Sequence, residues 1–185
     1  MRKDSIRLNN QCTKLHYTYM RCLTALKIQK CKLEDRTMEP WRLIFRKGFA
    51  PLLSNDSLVA LQNGLKQDDP ALVQGCVVFP RPMPGFWDLP AAAVGLLGYM
   101  GREGEGLFSV FEVSEFHERL MQAAAQKLGQ MDAAILFLSW FDKTPRDLMR
   151  KNLLQETHLE LRKRKTASRI REKQSAQQRI PSSSN

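Results

Sequence analysis

Between Ala133 and Phe141 the chain is apolar on nearly every side of a would-be helix, and the residues just after it set the topology. Thr144-Pro145-Arg146-Asp147 has the chemistry of a helix start. It offers a hydroxyl to cap a free N–H, a proline suited to the first helical position, and an acid in the first turn where the helix dipole is positive. Beyond it, Met149, Leu153, Leu154 and Leu161 recur at helical spacing. The stretch Trp140 to Asp147 therefore predicts a joint between two helices, the first central and the second amphipathic.

Upstream, Trp41, Ile44, Phe45, Phe49 and Leu52 fit one helix, interrupted at Gly48 and ended by Pro51. Ser54 is placed to cap a second, with Leu58, Leu61 and Leu65 on one face. Asp68-Asp69-Pro70 ends it and opens a helical turn, Ala71 to Gln74. Val77-Val78-Phe79 suits a short strand and a buried turn equally. Pro80, Pro82, Pro84 and Pro90 then mark a stiff loop carrying Phe86-Trp87-Asp88, because alternate prolines preclude most regular pairing. A helix resumes from Pro90 to Met100 and gives way to a flexible loop in the series Gly98, Gly101, Gly104, Gly106. Ser114 is the expected cap of the next helix, with Phe116, Leu120, Ala123 and Ala124 inward and Gly129 closing it, and Asp132 opens the apolar one. Past Leu161 the apolar spacing fails. The expected fold is mainly α: a single compact helical domain of five or six helices over residues 38–161, with a Pro-rich loop and a short strand pair near Val77. Residues 1–37 are expected to be a basic extension, disordered or loosely helical, and residues 162–185 a basic disordered tail.

The chain has 185 residues and a formal charge of +10, which invites a nucleic-acid reading, so the position of the charge decides. Residues 1–37 hold nine Lys/Arg against three Asp/Glu, residues 159–185 hold eight against two, and the span between is slightly acidic. Basicity belongs to the ends. That argues for weak, salt-sensitive attraction to polyanions, through Arg162, Lys163, Arg164, Lys165, Arg169, Arg171 and Lys173 in the tail. For residues 1–37 two readings compete: a basic, acid-poor start of the organellar-presequence kind, and an extension ahead of a start at Met38. The abrupt change of composition at Met38-Glu39-Pro40-Trp41 favours the second. The charged start has no secretory pattern, and Pro90 to Gly101, the longest near-apolar stretch, falls far short of the roughly 20 residues a spanning helix needs. A cytoplasmic protein with reduced thiols and no membrane partner is the expectation.

Three stretches carry a resemblance: Asp68-Asp69-Pro70-Ala71-Leu72-Val73-Gln74-Gly75, Gly104-Glu105-Gly106-Leu107, and Trp140-Phe141-Asp142-Lys143-Thr144-Pro145-Arg146-Asp147. In these the chain resembles a small family of uncharacterised bacterial proteins, over about residues 41–161. The resemblance implies no activity, cofactor or catalytic residue. It implies only that residues 1–37 and the tail beyond Leu161 lie outside the shared unit.

Candidate chemistry is sparse. Trp87, Asp88, His117, Asp142, Arg146 and Asp147 are the set that a fold could gather, since two carboxylates beside an arginine bind metal or do acid–base work. Helix ending by Asp142, capping by Asp147 and local pairing by Arg146 account for the same residues and are preferred. The glycine series lacks the Lys-Ser/Thr of a phosphate loop. Gly101-Arg-Glu-Gly104 is similar to the Gly-x-x-Gly loop of KH-type RNA-binding domains, but Glu103 and Glu105 repel phosphate. Cys12, His16, Cys22 and Cys31 match no zinc-knuckle spacing. His117 and His158 stand alone among glutamates and are expected to be exposed. Trp41, Phe86, Trp140 and Phe141 are expected in the core, whereas Trp87 either folds back as a lid or anchors a partner. No catalytic, cofactor-binding or metal-ligating residue is assigned, and no cofactor. The expected function is a non-enzymatic protein-interaction module. A nucleic-acid-associated protein acting through its basic termini is the alternative, and a carboxylate-dependent metal enzyme or hydrolase using Asp88 and Asp142 comes third.

Overall fold

Pro40 opens the first helix, where its fixed φ and missing N–H cost nothing. In the computed structural model, which describes residues 38–79 and 85–178, α1 (Pro40–Ile44) widens at once into a π-helical turn, Phe45–Phe49, and then tightens into a 3₁₀ turn, Ala50–Leu52. The wide turn keeps Phe45 and Phe49 both fully buried. Gly48 does not interrupt this run; the Leu128 side chain packs against its bare backbone. Expectations for residues 1–37, with their cysteines and His16, and for Pro80, Pro82, Pro84 and residues 179–185 lie outside the described residues. The chain divides between Met38 and Glu39, and the unit from Glu39 onward carries the elements of the fold.

Helix α2 (Asn55–Gln67) starts as expected at Ser54, whose hydroxyl accepts from the Ser57 N–H at 2.9 Å, and it buries Leu58, Leu61 and Leu65. It stops at Asp68, which takes a left-handed conformation with φ of 54°. The helical turn expected at Ala71–Gln74 does not form. Leu72 instead makes a parallel bridge to Val94, and the Val73 N–H donates to the Val94 carbonyl at 3.0 Å. That segment lies beside a two-stranded antiparallel sheet, β1 (Val78–Phe79) with β2 (Ala93–Val94), in register Val78 to Val94 and Phe79 to Ala93.

The glycine series departs most from expectation. Gly98, Gly101 and Gly104 are not a loop; they lie within α3 (Leu96–Glu105). A β-carbon on Gly98 would come within 2.9 Å of Val113, on Gly101 within 2.7 Å of Phe116, and on Gly104 within 2.6 Å of the Ser57 backbone nitrogen. The glycines thus let α3 approach α2 and the following helix more closely than side chains allow, and that burial outweighs their poor helix propensity. Helix α4 (Val110–Leu128) begins before Ser114. Its cap is Ser109, whose hydroxyl accepts from Glu112 N–H while the Glu112 carboxylate accepts from Ser109 N–H, a reciprocal capping box. Gly129 closes α4 as expected.

Helix α5 (Met131–Lys143) buries Ala133, Ala134, Phe137 and Phe141. Trp140 stacks on Trp41 with ring centroids 3.7 Å apart and planes 6° from parallel. Helix α6 (Arg146–Gln178) is 33 residues long. It buries Met149, Leu153, Glu156 and Thr157, and it packs on α2, which packs on α3; α3 meets α4, α4 meets α5, and α5 meets α1. The described residues thus hold six α-helices and one tiny sheet, a compact mainly-α fold. The disordered tail expected from residue 162 is corrected, because α6 runs unbroken to Gln178. Arg164 holds the part of the helix just past Leu161. Its guanidinium donates to the carbonyls of Leu53 (2.9 Å) and Ala50 (2.6 Å), to Asn55 Oδ1 (2.9 Å) and to Glu160 (3.0 Å). A polar anchor continues the packing after the apolar face has run out.

Candidate functional site

Two sequence stretches far apart in the chain, Asp68 to Gly75 and Trp140 to Asp147, meet at the α5–α6 joint. The Gln74 side-chain amide donates to the main-chain carbonyls of Phe141 and Thr144, the latter at 2.9 Å. The Gly75 N–H donates to Asp142 Oδ1 at 2.9 Å. From the other side Arg146 donates to Asp68 Oδ1 (2.7 Å) and to the carbonyls of Leu72 (3.0 Å) and Asp69 (3.2 Å). Arg146 does not pair locally, as its sequence position suggested; it clamps a segment more than seventy residues upstream. Thr144 also acts backwards. Its hydroxyl and its N–H both go to the Trp140 carbonyl, at 2.6 and 3.0 Å, ending α5 rather than capping α6. Asp147, the other expected cap, has a side chain 99% exposed and only a 3.8 Å approach to Arg150.

The clamped segment is held from a third direction. Asp69 Oδ2 accepts from the Tyr99 hydroxyl at 2.7 Å and Oδ1 from the Ala71 N–H at 2.8 Å. Burial alone would raise the Asp69 pKa, but those two hydrogen bonds with the charges of Arg102 and Arg146 hold it below the ordinary carboxylate range. Burial and the Asp69 carboxylate together push the Tyr99 hydroxyl up. At the end of α3, Glu105 is held below its ordinary range by the hydroxyls of Ser54 and Ser57, and Ser57 Oγ donates to it at 2.6 Å. Each of these oxygens is spent on structure, so the cluster reads as a lock on residues 68–75. Arg146→Ala is expected to cost about 1–2 kcal/mol, the low side of charge-assisted hydrogen bonds because the side chain is 36% exposed. Arg146→Lys should recover little, since an ammonium cannot span the fork. Urea unfolding measures the loss, and amide exchange should quicken first at residues 69–75.

The six-residue set expected as a cluster is split. Asp142, Arg146 and Asp147 are at the joint. Trp87 and Asp88 lie in the loop leading to β2, exposed, where the Phe111 N–H donates to the Trp87 carbonyl at 3.0 Å. His117 is on α4 and is not exposed as expected. Its Nδ1 is buried without a hydrogen-bond partner, and burial pushes its pKa down. His158 is exposed, with Gln62 Nε2 3.3 Å from its Nδ1. Among the described residues no three His, Cys, Asp or Glu side chains gather to hold a metal ion.

The start of α4 is the more informative surface. Backbone hydrogen bonds from Ala91 to Phe108, Val110 to Leu89, Phe111 to Trp87, Leu89 to Phe86 and Ala92 to Phe79 bring six loop and strand positions together with the α4 N-terminus. They leave Phe108 63%, Phe79 60%, Phe111 52%, Leu89 41%, Trp87 39% and Phe86 38% exposed. Trp87 meets Phe111 edge-on, with centroids 6.0 Å apart. Isolated exposed apolar residues are ordinary, but six large ones joined through their backbones are not. Asp88 adjoins Trp87, and Glu115 and Glu118 follow Phe111 on the same face of α4 at helical spacing, all three exposed. The patch therefore has an acidic border.

Phe86 was expected in the core and is outside it, whereas Trp41 and Phe141 are buried and Trp140 half-buried. Sequence reasoning misses Phe79, Leu89, Phe108 and Phe111. Their one signal in sequence is that Phe108 and Phe111 fall off the stripe formed by Val113, Phe116 and Leu120. No family model, curated protein or solved structure matches this chain. Among the described residues no helix is long and apolar enough to cross a membrane.

Proposed function

We propose that this protein is a non-enzymatic interaction module that docks a protein segment on the aromatic patch at the start of α4. The observation that carries the reading is the joint exposure of Phe79, Phe86, Trp87, Leu89, Phe108 and Phe111. Aromatic side chains supply large contact area at low entropic cost, and they dominate binding energy where partners meet. The acidic border of Asp88, Glu115 and Glu118 selects the occupant: an amphipathic segment with an apolar face flanked by Lys or Arg.

The test uses the whole protein and a displayed peptide library. Selected peptides should combine apolar and basic residues. They should bind Phe108→Ser/Phe111→Ser and Trp87→Ala variants at least tenfold more weakly, and amide exchange should slow at residues 85–91 and 107–118. Both variants alter exposed side chains, so their circular dichroism should match the parent. Peptides that bind the variants as well as the parent, or a selection that enriches nothing, would overturn the reading.

A further inference from the structure

The exposed end of α6 carries its charge in a pattern that the sequence count conceals. Every residue from Lys165 to Ser175 is exposed, so this part of the helix packs on nothing described. At about 100° per residue, Arg162, Lys165, Arg169 and Lys173 fall within about 80° of one another around the helix. They form a single stripe about 16 Å long, at about 1.5 Å per residue. Arg164 lies about 200° around from Arg162. It is the residue that reaches into the body, to Leu53, Ala50 and Asn55. The four stripe residues thus lie about 100–180° around the helix from Arg164, on the side away from the surface that anchors it. Among the described residues none of its four side chains makes an ion pair or hydrogen bond; the acids at hand, Glu160 and Glu172, engage Lys163 and Arg164, and Ser168.

We infer that this stripe is a binding surface for the phosphate backbone of a nucleic-acid duplex. Four cations in line on one helix, without a partner among the described residues, match a regular array of phosphates, and they release counterions on binding. Three other occupants fit less well. A lipid surface calls for an apolar face beside the basic one, and Ile170 is the sole large apolar side chain of Lys165 to Ser175, lying off the stripe. A protein interface needs an apolar centre, which the stripe lacks for the same reason. Single strands are held by stacking on aromatic rings, and residues 162–175 contain none. Of the seven basic residues the sequence pointed to, Arg164 is committed to the fold, Lys163 and Arg171 lie off the stripe, and four remain.

Fluorescence anisotropy with the full chain tests this, using labelled DNA and RNA duplexes of about twenty base pairs and one of their single strands over a salt series. Duplex binding should weaken steeply with salt. Arg162→Gln/Lys165→Gln/Arg169→Gln/Lys173→Gln should reduce affinity at least tenfold and lower the slope of log K against log salt by roughly 3–4, about 0.9 per phosphate released. Lys163→Gln/Arg171→Gln should change affinity less than threefold. All four stripe positions are exposed, so an unchanged unfolding midpoint will show that the loss is not one of folding. Whichever duplex binds more tightly names the source of the phosphates. The inference is overturned by tighter binding to the single strand, by equal losses in the two variants, or by no duplex binding, whether or not phosphatidylserine vesicles bind.

Discussion

Replacing Gly104 by alanine is expected to lower the unfolding midpoint by roughly 10 °C, on the basis that a 3 kcal/mol loss moves a chain of this size by about 6–12 °C. On propensity alone the change should stabilise α3 by about 1 kcal/mol, because alanine is the better helix former. Packing decides otherwise. The new methyl would overlap the Cα of Ser57 and come within 2.6 Å of its nitrogen and 2.8 Å of its hydroxyl. Backbone cannot rotate away as a flexible side chain does, so α2 and α3 must separate. Separation would also break the hydrogen bonds from Ser57 Oγ to the Met100 carbonyl at 3.2 Å and to Glu105 at 2.6 Å. Overpacking of a core typically costs about 1–3 kcal/mol, and the rigid neighbour places this site at or beyond the upper end. Gly106→Ala is the control. That residue has φ of 72° with nothing near its missing β-carbon, so only backbone strain of about 1 kcal/mol is expected. Equal midpoints for the two variants would refute the packing argument.

Gly104 also shows why part of the fold could not be read in advance. A glycine every third residue reads as a loop by local propensity, because the reason for a helix there lies in the partners: Val113, Phe116 and the Ser57 backbone. Elements whose signals are local were legible. The Ser54 cap, the leucine face of α2, the Gly129 stop and the apolar α5 all stand where the pattern placed them. The Thr144 reading failed because the same hydroxyl that can cap a following helix can bond the carbonyl of the preceding one. Likewise the packing of α6 just past Leu161 rests on Arg164, whose carbonyl partners are more than a hundred residues away. Of the candidate patch, the sequence pointed to Phe86 and Trp87 as loop aromatics but not to Phe79, Leu89, Phe108 and Phe111. Exposure of Phe108 and Phe111 is a property of what fails to cover them. The basic residues of the tail were counted correctly, but their stripe exists only once the helix does.

Glu156→Ala is the second large effect, expected to cost about 2–3 kcal/mol. Breaking a fully buried ion pair costs about 3–5 kcal/mol, and the smaller figure reflects two arginines that can turn toward water. Glu156 lies on α6 with a side chain 1% exposed, while those of Arg42 and Arg46 are 18% and 39% exposed. Arg42 Nη1 donates to Oε1 at 2.6 Å, Arg46 Nη2 donates to the same oxygen at 3.0 Å, and Arg46 Nε donates to Oε2. These bonds tie α1 and its π turn to α6. Burial would raise the Glu156 pKa, but the hydrogen bonds from Arg46 and Arg42 and their charges outweigh it and hold the carboxyl below its ordinary range. The sign of the pH dependence comes directly from this. A folded-state pKa below the unfolded value, about 4.3 for glutamate, means the stabilisation is complete above that value and lost as pH falls through the folded one. The gap in urea-unfolding free energy between parent and Glu156→Ala should therefore be widest near pH 7 and narrow in acid below about pH 4. Glu156→Gln, which keeps the shape and one good acceptor but not the charge, should fall between them near neutrality. A gap that stays constant down to about pH 3 would mean that Glu156 acts through packing alone, and the ion pair would lose its place in the account.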